Sequence, residues 1–237
     1  FRSTYKYYYR PYGYSNRDIY CNPLPMIRLD NISLSYGSRT ILRDASLHLR
    51  KGELCALVGR NGAGKSTLLR ALAGLEPLQA GAITIDGRSI AELDGTEAAR
   101  RVAFVATDKV RIANLPCEDL VALGRAPYTN WIGRLQAIDR EIVADALAKV
   151  GMSEFARKTM DRMSDGECQR VMIARALAQQ TPVILLDEPT AFLDMPNRYE
   201  LCRLLQRLAH DEKKTIIFST HELDIATKMC DSIALID

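Results

Sequence analysis

An apolar run, Leu54-Cys55-Ala56-Leu57-Val58, empties into Gly59-Arg60-Asn61-Gly62-Ala63-Gly64-Lys65-Ser66-Thr67 and then into Leu68-Leu69-Arg70-Ala71-Leu72-Ala73. No other stretch restricts the chain so tightly. A buried strand, a glycine-rich loop and a helix follow one another without a gap, which is the setting of a phosphate-binding loop. Three glycines let the backbone turn sharply, so that successive amide groups point inward at phosphate oxygens. The helix adds its unpaired N–H groups and the positive end of its dipole. Lys65 has the reach for the β- and γ-phosphates, and the Ser66 hydroxyl suits a Mg²⁺ ion. An ordinary glycine turn before a helix would need neither the lysine nor the hydroxyl. The pattern implies a nucleoside triphosphate ligand.

A strand that feeds a phosphate loop needs parallel neighbours, and the rest of the chain supplies them. Val183-Ile184-Leu185-Leu186 and residues 215–219 are apolar throughout, as strands covered on both faces must be. Residues 101–107 form a further strand. Helices are expected over 166–178 and 196–210 and, after Pro116, through most of the stretch to Met163. Ahead of the loop, Ile27-Arg28-Leu29-Asp30 and Ala45-Ser46-Leu47-His48-Leu49 alternate apolar and polar, and 81–87 is a short strand between glycines. The expected fold is α/β: a parallel-sheet core, an N-terminal antiparallel portion and a helical insertion at about 108–165.

Composition narrows the function further. Of 237 residues, 32 are basic and 29 acidic, a net charge of +3. Residues 1–25 carry Arg2, Lys6, Arg10 and Arg17 against Asp18, so the remainder is balanced at 28 of each sign. That balance offers no footprint for nucleic acid. The first 25 residues also hold seven of the ten tyrosines. With no apolar core they are no secretory signal, and they read as a disordered or non-native extension ahead of Met26. The six cysteines form no C-x-x-C pair, which speaks for buried reduced thiols rather than zinc or disulfides. No apolar run approaches the length of a membrane span.

Leu186-Asp187-Glu188-Pro189 ends its strand with adjacent carboxylates. Beside a phosphate loop, Asp187 suits Mg²⁺ or its water ligands, and Glu188 can orient or deprotonate an attacking water. Met163-Ser164-Asp165-Gly166-Glu167 has the S-x-x-E spacing of a capping box and should start the following helix.

Together with Ala191-Phe192-Leu193-Asp194 and His221, these motifs make the chain from Met26 onward resemble the ATP-binding cassette ATPases, the nucleotide-binding subunits of membrane transporters. The resemblance implies ATP and Mg²⁺ as ligands and a head-to-tail homodimer. In that dimer each phosphate loop faces the partner's signature, here Ser164 to Glu167. It implies that Tyr36 stacks on adenine, His221 bonds the γ-phosphate and Asp194 links the two sites. Ser164 and Gly166 would contact the partner's nucleotide. Two departures stand out. The family pattern has glycine at 165 and glutamine at 167, and acids in their place should point away from a triphosphate. It has a glutamine where Thr107 stands, followed by Asp108. A threonine is shorter, so either Thr107 works through water toward Mg²⁺ or Asp108 substitutes.

Leu123-Gly124-Arg125-Ala126-Pro127-Tyr128 resembles a segment of the importers of iron–siderophore, haem and cobalamin complexes. That subfamily implies a separate permease dimer, a periplasmic binding protein and a place on the cytoplasmic face of the bacterial inner membrane. It also implies a longer C-terminus than one ending at Asp237. The rivals are a soluble cassette acting on DNA or ribosomes, which would carry coiled coils or a second cassette, and a cassette that hydrolyses weakly. A small-molecule kinase would account for the loop but not for the other motifs.

Overall fold

The computed structural model describes residues 8–9, 25–36, 39–108, 110–129 and 133–236, with the side chains of 8, 9, 36 and 39 left aside. The chain runs β1 (Tyr8–Tyr9), β2 (Ile27–Tyr36), β3 (Arg39–Leu49), β4 (Leu54–Gly59) and α1 (Lys65–Leu72). It continues through β5 (Ala80–Ile85), β6 (Arg88–Ser89), α2 (Gly95–Ala99), β7 (Val102–Val105), α3 (Cys117–Ala122) and α4 (Ala137–Lys149). Last come α5 (Asp165–Ala178), β8 (Val183–Leu186), α6 (Met195–His210), β9 (Thr215–Thr220), α7 (Leu223–Met229) and β10 (Ser232–Ile236). Most of residues 1–25, expected to be an extension, lie outside the described residues; the pair Tyr8–Tyr9 adds antiparallel to β10.

Two sheets result. One has the order β1-β10-β4-β9-β8-β7, parallel from β10 to β7; the other, β3-β2-β5-β6, is antiparallel. Side-chain alternation along the parallel strands splits the core in two. Leu54, Ala56 and Val58 of β4, with Ile184 and Leu186 of β8 and Ile216 and Phe218 of β9, face the cluster built by α3 to α7. Cys55 and Leu57, with Val183, Leu185 and Ile217, face α1 and the antiparallel sheet. Strands covered on both sides can spare no polar position, which is why β4 and β8 read as unbroken apolar runs.

The helical stretch after Pro116 is less continuous than its sequence suggests. α3 tightens into a 3₁₀ segment, Leu123–Tyr128, and α4 begins only at Ala137. The tightening lets Leu123-Gly124-Arg125-Ala126-Pro127-Tyr128 lock against α5. A Cβ on Gly124 would lie 2.2 Å from the Arg175 carbonyl oxygen, so only glycine permits this approach. Arg125 is buried beside it. Its Nε donates to Asp139 Oδ1 at 2.9 Å, its Nη1 to the Ala178 carbonyl at 2.7 Å and to Gln180 Oε1 at 3.0 Å, and its guanidinium lies 4.1 Å from the Tyr128 ring centroid. One side chain therefore ties α4 and the end of α5 to the 3₁₀ segment.

Five free cysteines, Cys55, Cys117, Cys168, Cys202 and Cys230, are buried. Burial pushes the Cys55 and Cys202 thiols up to about 12 and the Cys117 thiol up to about 11, which keeps them protonated. They pack as small apolar groups.

The Gln136 backbone N–H and the Arg125 guanidinium hold the Asp139 carboxyl below the ordinary carboxylate value of 3.8. A lowered carboxylate stabilises the fold above its unfolded value and stops doing so as pH falls through the folded one. Arg125→Ala, which leaves Asp139 buried and unpaired, should cost about 3 kcal/mol at pH 7 in urea unfolding. The difference from the parent should shrink below about pH 4.

Candidate functional site

Because β4, β9, β8 and β7 are adjacent and parallel, whatever follows their C-terminal ends gathers along one edge. After β4 comes the glycine-rich loop, after β9 His221, after β8 Asp187 and Glu188, and after β7 Thr107. Ligands of open α/β sheets lie in the crevice beyond such strand ends.

The loop has the geometry its sequence implies. Gly59 closes β4, and Gly62, Ala63 and Gly64 carry the turn into α1, with the Ala63 N–H bonded to the Arg60 carbonyl at 3.1 Å. Gly64 is the residue before the helix, at φ 102°, and a Cβ there would sit 2.0 Å from Ile41 Cγ2. Left-handed backbone and a close neighbour both demand glycine. Asn61 and Ser66 are exposed and Thr67 half-buried, whereas Lys65 is buried. Its Nζ donates to the Gly59 carbonyl at 2.9 Å and the Arg60 carbonyl at 3.2 Å, and lies 3.3 Å from Glu188 Oε1.

Ser219, the penultimate residue of β9, organises the paired acids. Its hydroxyl donates to Asp187 Oδ1 at 2.7 Å and accepts the Glu188 backbone N–H at 2.7 Å. Both bonds are buried or nearly so, so the hydroxyl holds the side chain of one acid and the main chain of the next. Glu188 itself has φ 45°, a left-handed conformation that non-glycine residues seldom adopt and that concentrates at functional sites. The turn lifts its carboxylate toward Lys65. Nothing in the sequence marks Ser219; the signal was its place at the end of an apolar strand neighbouring Asp187.

Thr107 sits two residues past the end of β7, and its hydroxyl donates to the Asp187 carbonyl at 3.0 Å. The expected metal-sensing role must therefore use a lone pair, because the proton is committed. His221 is exposed on the turn after β9; the adjoining Glu222 pairs with Arg198 Nη1 at 2.8 Å, and Arg198 Nε donates to the Leu193 carbonyl at 2.6 Å. Asp194 caps α6 through the Asn197 N–H at 3.0 Å, between exposed Phe192 and Met195. Tyr36 ends β2, and its side chain lies outside the described residues.

The signature opens α5, where Asp165 and Cys168 line a cleft with Thr107, Asp108, Pro189 and Phe192. Ser164 is its N-cap and the capping box is complete: Ser164 Oγ accepts the Glu167 N–H at 3.3 Å, and Glu167 Oε2 accepts the Ser164 N–H at 2.7 Å. Lys158 adds an ion pair with Glu167 at 3.1 Å. Partial burial works against the charged form of Glu167, but the Ser164 N–H and Lys158 outweigh it and hold the carboxyl below its ordinary value. Neither Ser164 nor Gly166 is brought to the phosphate loop of the same chain by any contact described above.

An ABC transporter family model matches residues 42–191. A petrobactin import ATP-binding protein of Bacillus anthracis is 40% identical over 205 residues, covering 86% of this chain and 75% of that protein. An iron(3+)-hydroxamate import ATP-binding protein of Bacillus subtilis is 36% identical over 199 residues, 84% of this chain and 74% of that protein. A cobalamin import ATP-binding protein of Halobacterium salinarum is 39% identical over 200 residues, 84% of this chain and 50% of that protein. Among solved structures, a transporter described as of metal-chelate type, in an inward-facing conformation, matches with a TM-score of 0.79 at 27% identity, over 90% of this chain and 79% of that one. The dimeric structure of a bacterial ABC transporter cassette matches with a TM-score of 0.76 at 28% identity, over 89% and 94%. Sequence and fold agree: the chain belongs to the ABC transporter family, as one of its ATP-hydrolysing cassettes.

Proposed function

We propose that this cassette powers import of a metal chelate of the iron–siderophore, haem or cobalamin class through a separate permease dimer. The observation that carries the cargo class is the set of relatives named for petrobactin, hydroxamate and cobalamin import, each covering more than four-fifths of the chain. The interlocked 123–128 segment supports the same reading. Among the described residues no helix is long and apolar enough to cross a membrane. The cassette would sit against the cytoplasmic face of the inner membrane, with a periplasmic binding protein delivering cargo on the other side.

The chain's own residues divide the chemistry. Backbone amides from Gly62 to Thr67 cradle the phosphates, and Lys65 moves from the loop carbonyls onto the β- and γ-phosphates. Tyr36 would stack on the adenine. Ser66 and Asp187 offer the hard oxygen donors that suit Mg²⁺: the Ser66 hydroxyl is exposed, and Asp187 keeps one carboxylate oxygen beyond the bond from Ser219. Thr107 would assist there through an oxygen lone pair. A bound Mg²⁺ would neutralise charge on the phosphates. Glu188, turned toward Lys65 by its backbone, orients and deprotonates the attacking water, and His221 bonds the γ-phosphate. Two copies pack head to tail, so that Ser164 and Gly166 of one complete the site of the other. Asp194, flanked by exposed Phe192 and Met195, joins the two sites. ATP closes this dimer, hydrolysis opens it, and the cycle drives the permease.

Three variants test the assignment. Glu188→Gln should lower phosphate release by about 100-fold or more while ATP still binds and chelate uptake by cells stops. Undiminished hydrolysis would remove Glu188 from the mechanism. A Cβ at Gly166 meets nothing nearer than 3.7 Å, so Gly166→Asp should fold normally by thermal melting yet lose ATPase activity. Retained activity would mean that the signature does not meet a nucleotide. The pair Thr107→Ala and Asp108→Ala, made together, should uncouple ATPase activity from permease stimulation in proteoliposomes. Unaltered coupling would show that this loop does not carry the signal.

A further inference from the structure

An acid at the first position of a helix is favourable for the helix, because it meets the positive end of the dipole. In α5 that acid is Asp165, between the two residues proposed to face the partner's triphosphate. The position that suits the helix would thus set a carboxylate beside the partner's triphosphate once two cassettes close. The fold answers this conflict with Arg111. Its Nη2 donates to Asp165 Oδ1 at 2.6 Å, and its Nη1 donates to the Met163 carbonyl at 3.2 Å, immediately before the N-cap. Lys158 Nζ donates to both carboxylate oxygens of the other signature acid, Glu167, at 3.1 and 3.2 Å. Both carboxylates of the signature are therefore neutralised within their own chain.

We propose that Arg111 is a positioning residue for ATP-driven dimer closure: its fork pins Asp165 aside and cancels its charge, leaving the Ser164 hydroxyl and the Gly166 N–H as what the partner's γ-phosphate meets. The inference rests on the head-to-tail reading above. Two features make the geometry specific. A guanidinium alone can bond a carboxylate and a carbonyl at once in a fixed plane; an ammonium cannot hold both with the same orientation. The pair is also half-exposed in the single chain, at 44% and 31% of the side-chain surface, so there it is screened and contributes little to stability. Its effect should appear when closure excludes water and Asp165 comes beside phosphate. Arg111 further belongs to the segment that leaves β7, where Thr107 holds the Asp187 carbonyl. The same short stretch therefore touches the acids of one site and the signature that serves the other.

The test uses the full chain with Glu188→Gln, titrated with ATP and followed by sedimentation velocity for dimer formation. Arg111→Ala should raise the ATP concentration for half-maximal dimer about tenfold, while the melting temperature of the nucleotide-free monomer stays close to the parent's. Asp165→Gly added to Arg111→Ala should restore dimerisation, since nothing then needs cancelling, and Arg111→Lys should fall between. A purely structural role for Arg111 predicts no rescue by the second substitution. Closure of Arg111→Ala at the parent's ATP concentration, or a double variant as impaired as the single one, overturns the proposal and leaves the head-to-tail reading standing. Failure of the Glu188→Gln parent to dimerise with ATP overturns that reading, and the proposal with it.

Discussion

One buried hydroxyl holds the catalytic edge together. Ser219 donates to the side chain of Asp187 and accepts from the backbone of Glu188. Neither acid alone would have a defined direction at the end of a short strand. An unpaired hydroxyl or N–H at this depth would carry the full cost of its desolvation, so the two bonds are made or the strand end rearranges. The placement of both carboxylates, proposed to orient water and to face Mg²⁺, is thus transferred to β9, whose six residues are buried throughout. Strand pairing then sets the distance between the acids and the phosphate loop: β9 lies between β4 and β8, registered residue by residue with both.

The helical part is attached differently. Its contacts with the sheet run through α5, which packs on the strands with one end and carries the signature on the other. Glycine at 124 and the buried Arg125 fasten the insertion to the far end of that helix, so the insertion and α5 behave as one piece. At the near end α5 meets the segments after β7 and β8 through the Arg111 bonds to Met163 and Asp165 and through Leu193, which is buried in the same cluster as Met163 and Cys168.

Much of this was legible in the residues. The phosphate loop, the acid pair and the capping box could be read because each rests on local spacing: glycines for a turn, a hydroxyl three residues before an acid. Unbroken apolar strands announced a parallel sheet. What was hidden depends on register between distant segments. Ser219 is an unremarked serine until β8 and β9 are aligned, and Arg111 is a surface arginine until the insertion folds back on α5. The helical stretch expected after Pro116 is interrupted where Leu123–Tyr128, which contains Pro127, is 3₁₀ and α4 begins only at Ala137. Thr107, expected at the metal, spends its proton on a carbonyl because β7 stops at Val105 and leaves it in the loop.

The left-handed backbone of Glu188 has a consequence for how this protein can change over time. Holding φ at 45° costs a side-chain-bearing residue on the order of 1 kcal/mol or more, and glycine would pay almost none of it. The position is therefore one where the most comfortable replacement for the fold removes the carboxylate proposed to activate water. On the role proposed for Glu188, random drift toward stability would favour a cassette without turnover. Retaining glutamate here requires selection on turnover itself, not on folding, and the strained residue becomes a marker by which active and degenerate copies of such a domain can be told apart.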